Sequence, residues 1–327
     1  MLRLLLSPLF LFLACTFLVP WVHAAPLTLK LGHIAEPDNN YGQGATYFAK
    51  LVAERSKGEI NIEIYPSSQL GDQRELVENL SVGTVDMTLT STAVLGNFAP
   101  EVAVFDLPFL FRDVQHAYKV LDTVGMELCK KAEARGMVTL AIWENGFRHM
   151  TNNIRPISEP GDMRGLKFRV MEQPVYIALM RSLGAKPVPM GMSDLREALV
   201  KGLVTGQDNS LSHIVTKRFF EVQQYLSLTG HTYAPEPLLI STSVWERLTP
   251  QQQQLLRTAA EDARDWQRAL SRKLENECLE TVKKSGTCAV NNNVDKAAFA
   301  KATRAVWNDI YVKRFGEDTI NRILAIQ

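Results

Sequence analysis

The sequence predicts an α/β protein of two lobes, and three observations carry that prediction. Strands and helices alternate from the start of the mature chain, the alternation restarts after the loop that carries Arg148, and 327 residues exceed the size at which one core is comfortable. Leu27 to Ile34 reads as a strand, Asn40 to Lys57 as a helix stopped by Gly58, and Ile60 to Tyr65 as a second strand. That is a βαβ unit, which points to a parallel sheet. Asp72 to Val82 follows as a helix ending at Gly83, with Asp86 to Leu89 and Thr139 to Trp143 as strands. The second set begins at Ile154: a strand around Arg169, a helix from Pro174 to Leu183, a strand from Lys186 to Pro189 and a helix from Ser193 to Lys201. The composition changes from Thr249, where a capped helix with Pro250 in its first turn runs to about Lys284. Its length suggests a brace across both lobes. Its apolar positions Leu255, Leu256, Ala259, Ala263, Trp266 and Leu270 do not keep a heptad, which argues against a coiled coil.

The amino terminus sets the expected compartment. Arg3 precedes an apolar run from Leu4 to Val22, and Val22-His-Ala24 is a small-residue cleavage site, so residues 1–24 are expected to be a signal peptide and Ala25 the mature start. Ser7, Pro8 and Pro20 interrupt the run, which argues against a membrane anchor. Lipidation at Cys15, in Phe12-Leu-Ala-Cys15, is the alternative, with Phe where a small aliphatic residue is expected. The chain has 36 Lys and Arg against 35 Asp and Glu, and the leader removes only Arg3, so the mature protein is neutral. A neutral surface disfavours nucleic acid or anionic membrane as a partner, because both reward basic residues. Of the cysteines outside the leader, Cys278 and Cys288 are expected to bridge the end of the long helix to a strand at Thr287 to Val290, and Cys129 to be a buried thiol on a helical stretch.

Catalytic signatures are absent: there is no G-x-S-x-G, H-E-x-x-H or P-loop, and Tyr41-Gly-Gln-Gly44 lacks the third glycine of a dinucleotide fingerprint. No Cys or His spacing suggests a metal, and no cofactor is expected. Two arginines instead draw attention, Arg148 in Trp143-Glu-Asn-Gly-Phe-Arg148 and Arg169 in Gly165-Leu-Lys-Phe-Arg169, each where a β-rich run meets a loop. A guanidinium is permanently charged and matches a carboxylate edge to edge, so two converging on one cavity would bind an organic anion. Alternation places Lys167 and Arg169 on one face of their strand, opposite Leu166, Phe168 and Val170. His33 ends the first strand, at the carboxyl edge where open α/β sheets bind ligands, while His149 and His231 read as scaffold. Gln73 and Ser91 in the first lobe, and Glu172 after the Arg169 strand, are candidates for reading hydroxyl groups.

Arg148 and Arg169 fall within motifs that resemble a known family, the substrate-binding proteins of tripartite ATP-independent periplasmic (TRAP) transporters of the dicarboxylate-binding type. The resemblance runs through Tyr65-Pro-Ser-Ser-Gln-Leu-Gly71, Phe105-Asp-Leu-Pro-Phe-Leu-Phe111, Gly146-Phe-Arg148, Asp162-Met-Arg-Gly-Leu-Lys-Phe-Arg169, Gly206-Gln-Asp-Asn209 and Phe220-Glu-Val-Gln223. It implies a periplasmic binding protein fold in which crossing hinge strands and a long helix join the lobes. It also implies that Arg169 clamps a carboxylate, supported by Arg148 and Asn209, with Met192 as a pocket wall. Asp208 stands where the family usually has glutamate and Thr205 where aspartate is common. Ser91 stands where sialic-acid-specific members carry glutamate, which makes sialic acid an unexpected ligand.

The function expected from the sequence is therefore a monomeric, non-enzymatic periplasmic receptor that closes on a small organic acid and delivers it to TRAP-type permease subunits. A sugar acid such as a uronate or aldonate suits the polar candidates best. A C4-dicarboxylate or keto acid, a sensory receptor, and a secreted enzyme acting on a carboxylated sugar are the alternatives. The expected lobes are 25–146 with 235–274, and 147–234 with 275–327.

Overall fold

The computed structural model describes residues 25–327, so the predicted leader and its cleavage after Ala24 lie outside the described residues. Strand β1 (Leu27–Gly32), helix α1 (Asn40–Arg55) and β2 (Ile60–Tyr65) form the predicted parallel unit, with Leu27 opposite Ile60. Asn39 caps α1 by accepting from the Tyr41 amide. The helix stops two residues before the expected end, because Lys57 (φ 54°) and Gly58 (φ 83°) both turn left-handed and the Gly58 amide closes back on the Ala53 carbonyl. Helix α2 (Gln73–Ser81) begins in a reciprocal cap between Asp72 and Glu75, and β3 (Met87–Leu89) leads into the single turn of α3 (Thr92–Leu95).

One strand is far longer than the sequence suggests, and its long partner answers to no strand expected from the sequence. The expected strand Thr139 to Trp143 is the first half of β4 (Met137–Asn152), which runs antiparallel to β8 (Tyr225–Ser241). Glu144, Asn145, Arg148 and His149 look like loop residues because they are polar; instead they are buried within the strand and partnered there. The register slips at Glu144/Gly146 and at Arg148/Met150, and Gly146 has φ 111°, a conformation open to glycine that lets the strand bulge and re-aim its side chains.

With β5 (Lys167–Val170), β6 (Lys186–Pro189), β7 (Gly206–Asn209) and β9 (Ala289–Asn291), the sheet has the order β2-β1-β3-β8-β4-β7-β5-β6, and β9 pairs with β8. β3 pairs with the Leu238–Ile240 end of β8, whereas β7 pairs with the His149–Asn152 end of β4. The β4–β8 pair is therefore common to two α/β lobes. The long helix Pro250–Ser285 is capped by Thr249 and Gln252, ends at Gly286 (φ 67°), and packs on α1 and β4 at one end and on helix Leu211–Thr216 and β9 at the other. It is the brace that its length suggests.

One core holds Leu29, Leu31, Phe48, Leu89, Trp143 and Ile240; another, on the far side, holds Phe168, Val170, Tyr176, Leu179 and Phe299. The terminal residues Trp307, Tyr311, Ile320 and Ile323 join a third core with Phe105, Leu121 and Cys129, and the Trp307 indole donates to the Pro108 carbonyl at 2.8 Å. The expected bridge between Cys278 and Cys288 is corrected: both are separate buried thiols in an apolar cluster with Leu211, Ile214, Leu226 and Val282. Burial pushes Cys278 up to about 11 and Cys288 up to about 12, so both stay protonated and pack as small apolar groups. Among the described residues no helix is long and apolar enough to cross a membrane.

Candidate functional site

A cavity of about 270 Å³ opens between the two lobes, at the carboxyl ends of the short strands. Seven of the eight residues expected from the sequence line it: Gln73, Ser91, Arg148, Arg169, Glu172, Met192 and Asn209. His33 does not. It lies buried beneath the cavity with neither ring nitrogen partnered, edge-on to Tyr41, and burial pushes its pKa down to about 4, so it is a neutral packing group.

Each cavity residue owes its position to a local feature. The β4 bulge turns Arg148 inward, where it is 1 % exposed. Its Nε donates to Asp208 Oδ2 at 2.6 Å, Nη1 to Asn209 Oδ1 at 3.2 Å and Nη2 to the Asp208 carbonyl, and its guanidinium lies 5.6 Å from the centre of the Tyr176 ring. Burial alone would raise the Asp208 carboxyl, but Arg148 and His231 overcome it and hold it well below the usual carboxylate range. The charge of Arg148 is thus neutralised inside the protein. Asn209 is fixed in turn by donating to Gln207 Oε1 at 3.3 Å, and Gln207 donates to Thr151, which donates to Gln223. The two glutamines of the Gly206-Gln-Asp-Asn209 and Phe220-Glu-Val-Gln223 motifs are therefore scaffold for Asn209.

Arg169, on β5, is different. Its Nε donates to the Met190 carbonyl at 2.9 Å, Nη1 is buried without a partner, and among the described residues no carboxylate pairs with it. Burial, and then repulsion from Arg148, pushes its pKa down to about 10, which still leaves it charged at neutral pH. An unpaired buried guanidinium is costly in an empty protein and is a receptor for an anion in a filled one. Lys167, on the same strand face, is exposed at the strand's start and does not reach the cavity.

The first lobe contributes hydroxyl-sized polar groups from helix starts. Gln73 is the first residue of α2, and Ser91 is the cap of α3, accepting from the Val94 amide at 3.4 Å. Ser91 Oγ donates to Gln73 Oε1 at 3.1 Å. Across the cleft, Asp72 accepts from the Met192 amide at 2.7 Å and from Ser193 Oγ at 3.2 Å, and Asn97 donates to the Glu172 carbonyl at 3.0 Å. The lobes thus touch around the cavity. Glu172 is exposed at the rim and Met192 is a buried wall.

Several residues near the cavity escaped the sequence reading. His213 lines it, with Nε2 3.1 Å from the Tyr41 hydroxyl, and burial holds it neutral. Asn145 also lines it and accepts from Ser210 Oγ. Two buried acids stand behind the wall: burial pushes Asp106 up to about 7, although Tyr176 donates to it at 3.1 Å, and pushes Glu236 up to about 8. Glu236 had a visible signal, a lone carboxylate between two prolines in an otherwise apolar run, and Asp72 had one in its helix cap four residues from a strand-end turn. Among the described residues no cluster of His, Cys, Asp or Glu could hold a metal ion.

Comparison with known proteins agrees with this architecture. The family described as bacterial extracellular solute-binding protein, family 7, matches residues 31–314. The 2,3-diketo-L-gulonate-binding periplasmic protein YiaO of Escherichia coli K12 is 32 % identical over 93 % of this chain and 93 % of its own length. A TRAP periplasmic solute-binding protein from Polaromonas sp. JS666, solved with D-erythronate, is 40 % identical and superposes with a TM-score of 0.89 over 92 % of this chain and 99 % of that one. One from Sulfurospirillum deleyianum, solved with succinate, is 34 % identical with a TM-score of 0.88 over 93 % and 100 %.

Proposed function

The chain belongs to family 7 of the bacterial extracellular solute-binding proteins, the TRAP receptors, and we propose that its ligand is a hydroxylated monocarboxylate of sugar-acid size. The observation that carries this reading is the charge balance of the cavity. Arg148 is matched by Asp208, burial lifts Glu236 to about 8 so that it is mostly protonated at neutral pH, and Arg169, bonded only to the Met190 carbonyl, has no acidic partner among the described residues, so one buried positive charge calls for one carboxylate. Asp72, Glu75, Glu172 and Asp194 also line the cavity, together with Arg74, which pairs with Glu78, and a second carboxylate would face the four acids. Hydroxyl groups would instead pair with Gln73 and Ser91, which both give and accept hydrogen bonds. The erythronate complex of the Polaromonas protein supports this choice by analogy.

In this reading Arg169 takes the carboxylate as a two-pronged pair, with Arg148 holding Asn209 against it. The ligand bridges the lobes and shifts an open–closed equilibrium, and the closed form is the one the permease subunits recognise. The receptor acts as a monomer in the periplasm, exported by its leader, and captures its ligand without converting it. We assign residues 25–146 and 235–274 to one lobe and 147–234 and 275–303 to the other. The tail from 304 onward goes with the first lobe, because it packs on residues 94–132.

The test is a thermal-shift screen, since a ligand bound only to the native state raises the melting temperature. D-erythronate, aldonates and uronates should stabilise the protein more than succinate, malate or fumarate at equal concentration. The succinate complex of the Sulfurospirillum protein makes the dicarboxylate the competing reading; the opposite ranking would establish it and leave the receptor role standing. Turnover of any of these acids would refute capture without conversion.

A further inference from the structure

We propose that Glu236, which does not line the cavity, is the positioning residue that makes this receptor read hydroxyls rather than a second carboxylate, by holding the Gln73 carboxamide in one orientation. The inference rests on the sugar-acid reading above. Glu236 lies on β8 between Pro235 and Pro237, opposite Trp143, and is fully buried. Its Oε1 accepts from Gln73 Nε2 at 3.2 Å, while its Oε2 has no protein partner. Gln73 Oε1 accepts from Ser91 Oγ at 3.1 Å, and Ser91 Oγ accepts from the Val94 amide.

Counting donors and acceptors along this chain gives its meaning. Of the two N–H groups of Gln73, one is given to Glu236 and one remains; the hydroxyl proton of Ser91 is given to Gln73, which leaves that oxygen an acceptor. Gln73 Oε1 keeps its second lone pair. The wall therefore offers one donor and two acceptors, a set that hydroxyl groups satisfy in both directions. A carboxylate only accepts, so it would meet the single donor and leave two acceptors facing its charge. Without Glu236 the carboxamide is free to turn both N–H groups towards the cavity, which suits a carboxylate. With its acid proton on Oε2, which has no protein partner, Glu236 keeps Oε1 as an acceptor for Gln73 and adds no negative charge to the site.

The experiment is isothermal titration of the mature chain with D-erythronate and with succinate. The wild type should bind D-erythronate roughly tenfold or more tightly than succinate, the scale of leaving buried polar groups unpaired. Glu236→Gln keeps an acceptor oxygen for Gln73 and should keep that ratio, whereas Glu236→Met should bring it close to one. Gln73→Met should do the same, because Glu236 acts through that amide, and it decides the matter if Glu236→Met fails to fold. An unchanged ratio in either methionine variant, an equal loss of both ligands, or a wild type that prefers succinate would each overturn the inference. A wild type that binds neither acid, nor any other sugar acid, would instead overturn the proposed ligand on which it rests.

Discussion

Arg148 and Arg169 enter the same cavity from two regions of the sheet, and their partners make them opposites. Arg148, at the bulge where β4 meets β7, spends its hydrogen bonds on Asp208 and Asn209. Arg169, on the short strand β5, keeps its charge unmatched. The first is a structural charge that shapes the site, and the second is the charge the proposed ligand would meet. A polar residue buried among its partners stabilises a fold; the same residue type buried without them stores a demand that only binding meets.

The largest effect expected from this contrast is on folding. Arg148→Ala leaves the Asp208 carboxyl buried with only His231 beside it, and loss of one partner of a buried pair costs roughly 3 to 5 kcal/mol. Urea unfolding of the unliganded protein should show it, and a variant as stable as wild type would erase the distinction between the two arginines. Arg169→Ala should do the reverse, weakening acid binding by roughly 2 to 5 kcal/mol while leaving the unliganded melting temperature unchanged or raised. Arg169→Lys should rescue binding poorly, since lysine lacks the planar fork. Calorimetry on both variants checks this pair, and wild-type affinity in Arg169→Ala would dissolve the site.

Acidity sharpens the contrast further. Glu236 and Asp106 ordinarily ionise at 4.5 and 3.8 but are raised to about 8 and about 7 in the fold. A carboxyl with a raised folded pKa contributes stability that is full below its unfolded pKa and is lost as pH rises to its folded one, so these two make the protein less stable between about pH 4 and 8. His33 and His149, held neutral by burial, act in the opposite direction below pH 6.5. The net decline should therefore be visible from about pH 6.5 to 8, with a slope approaching roughly 1.4 kcal/mol per pH unit for each ionising group. Melting curves across that range should flatten in Glu236→Gln; an unaltered slope would remove Glu236 as the cause.

A smaller effect concerns the ligand side alone. A Cβ at Gly191 would lie 2.3 Å from Asp72 Oδ2, so Gly191→Ala should push apart the contact between Asp72 and the Met192 amide. Affinity should fall by roughly 1.5 to 3 kcal/mol, the worth of a hydrogen bond to a charged group, with the unliganded stability nearly intact. Titration of this variant would separate cleft closure from carboxylate pairing.

The sequence revealed the elements that follow local rules. Caps at Asn39, Asp72 and Thr249, stops at Gly58 and Gly286, and the alternation around Arg169 are short-range signals, and the structure keeps them. The second half of β4 and the whole of β8 were not legible, because buried polar residues there are satisfied by partners distant in the chain, such as Arg148 by Asp208 and Glu144 by Arg272 on β4. The same cause hid Glu236 and His213, whose roles depend on what the fold brings against them. His33 misled for a related reason: it stands at a strand end, but its side chain turns beneath the cavity towards Tyr41.

The strands β4 and β8 also settle how the molecule must come apart. Each carries one hydrogen-bonded ladder through both lobes, so neither lobe owns a complete sheet. No cut between the lobes spares that ladder, and a fragment holding one lobe would expose a raw strand edge to other chains. Heat should therefore dismantle the two halves together, in a single transition, even though the proposed mechanism has them part at the cleft to admit a ligand.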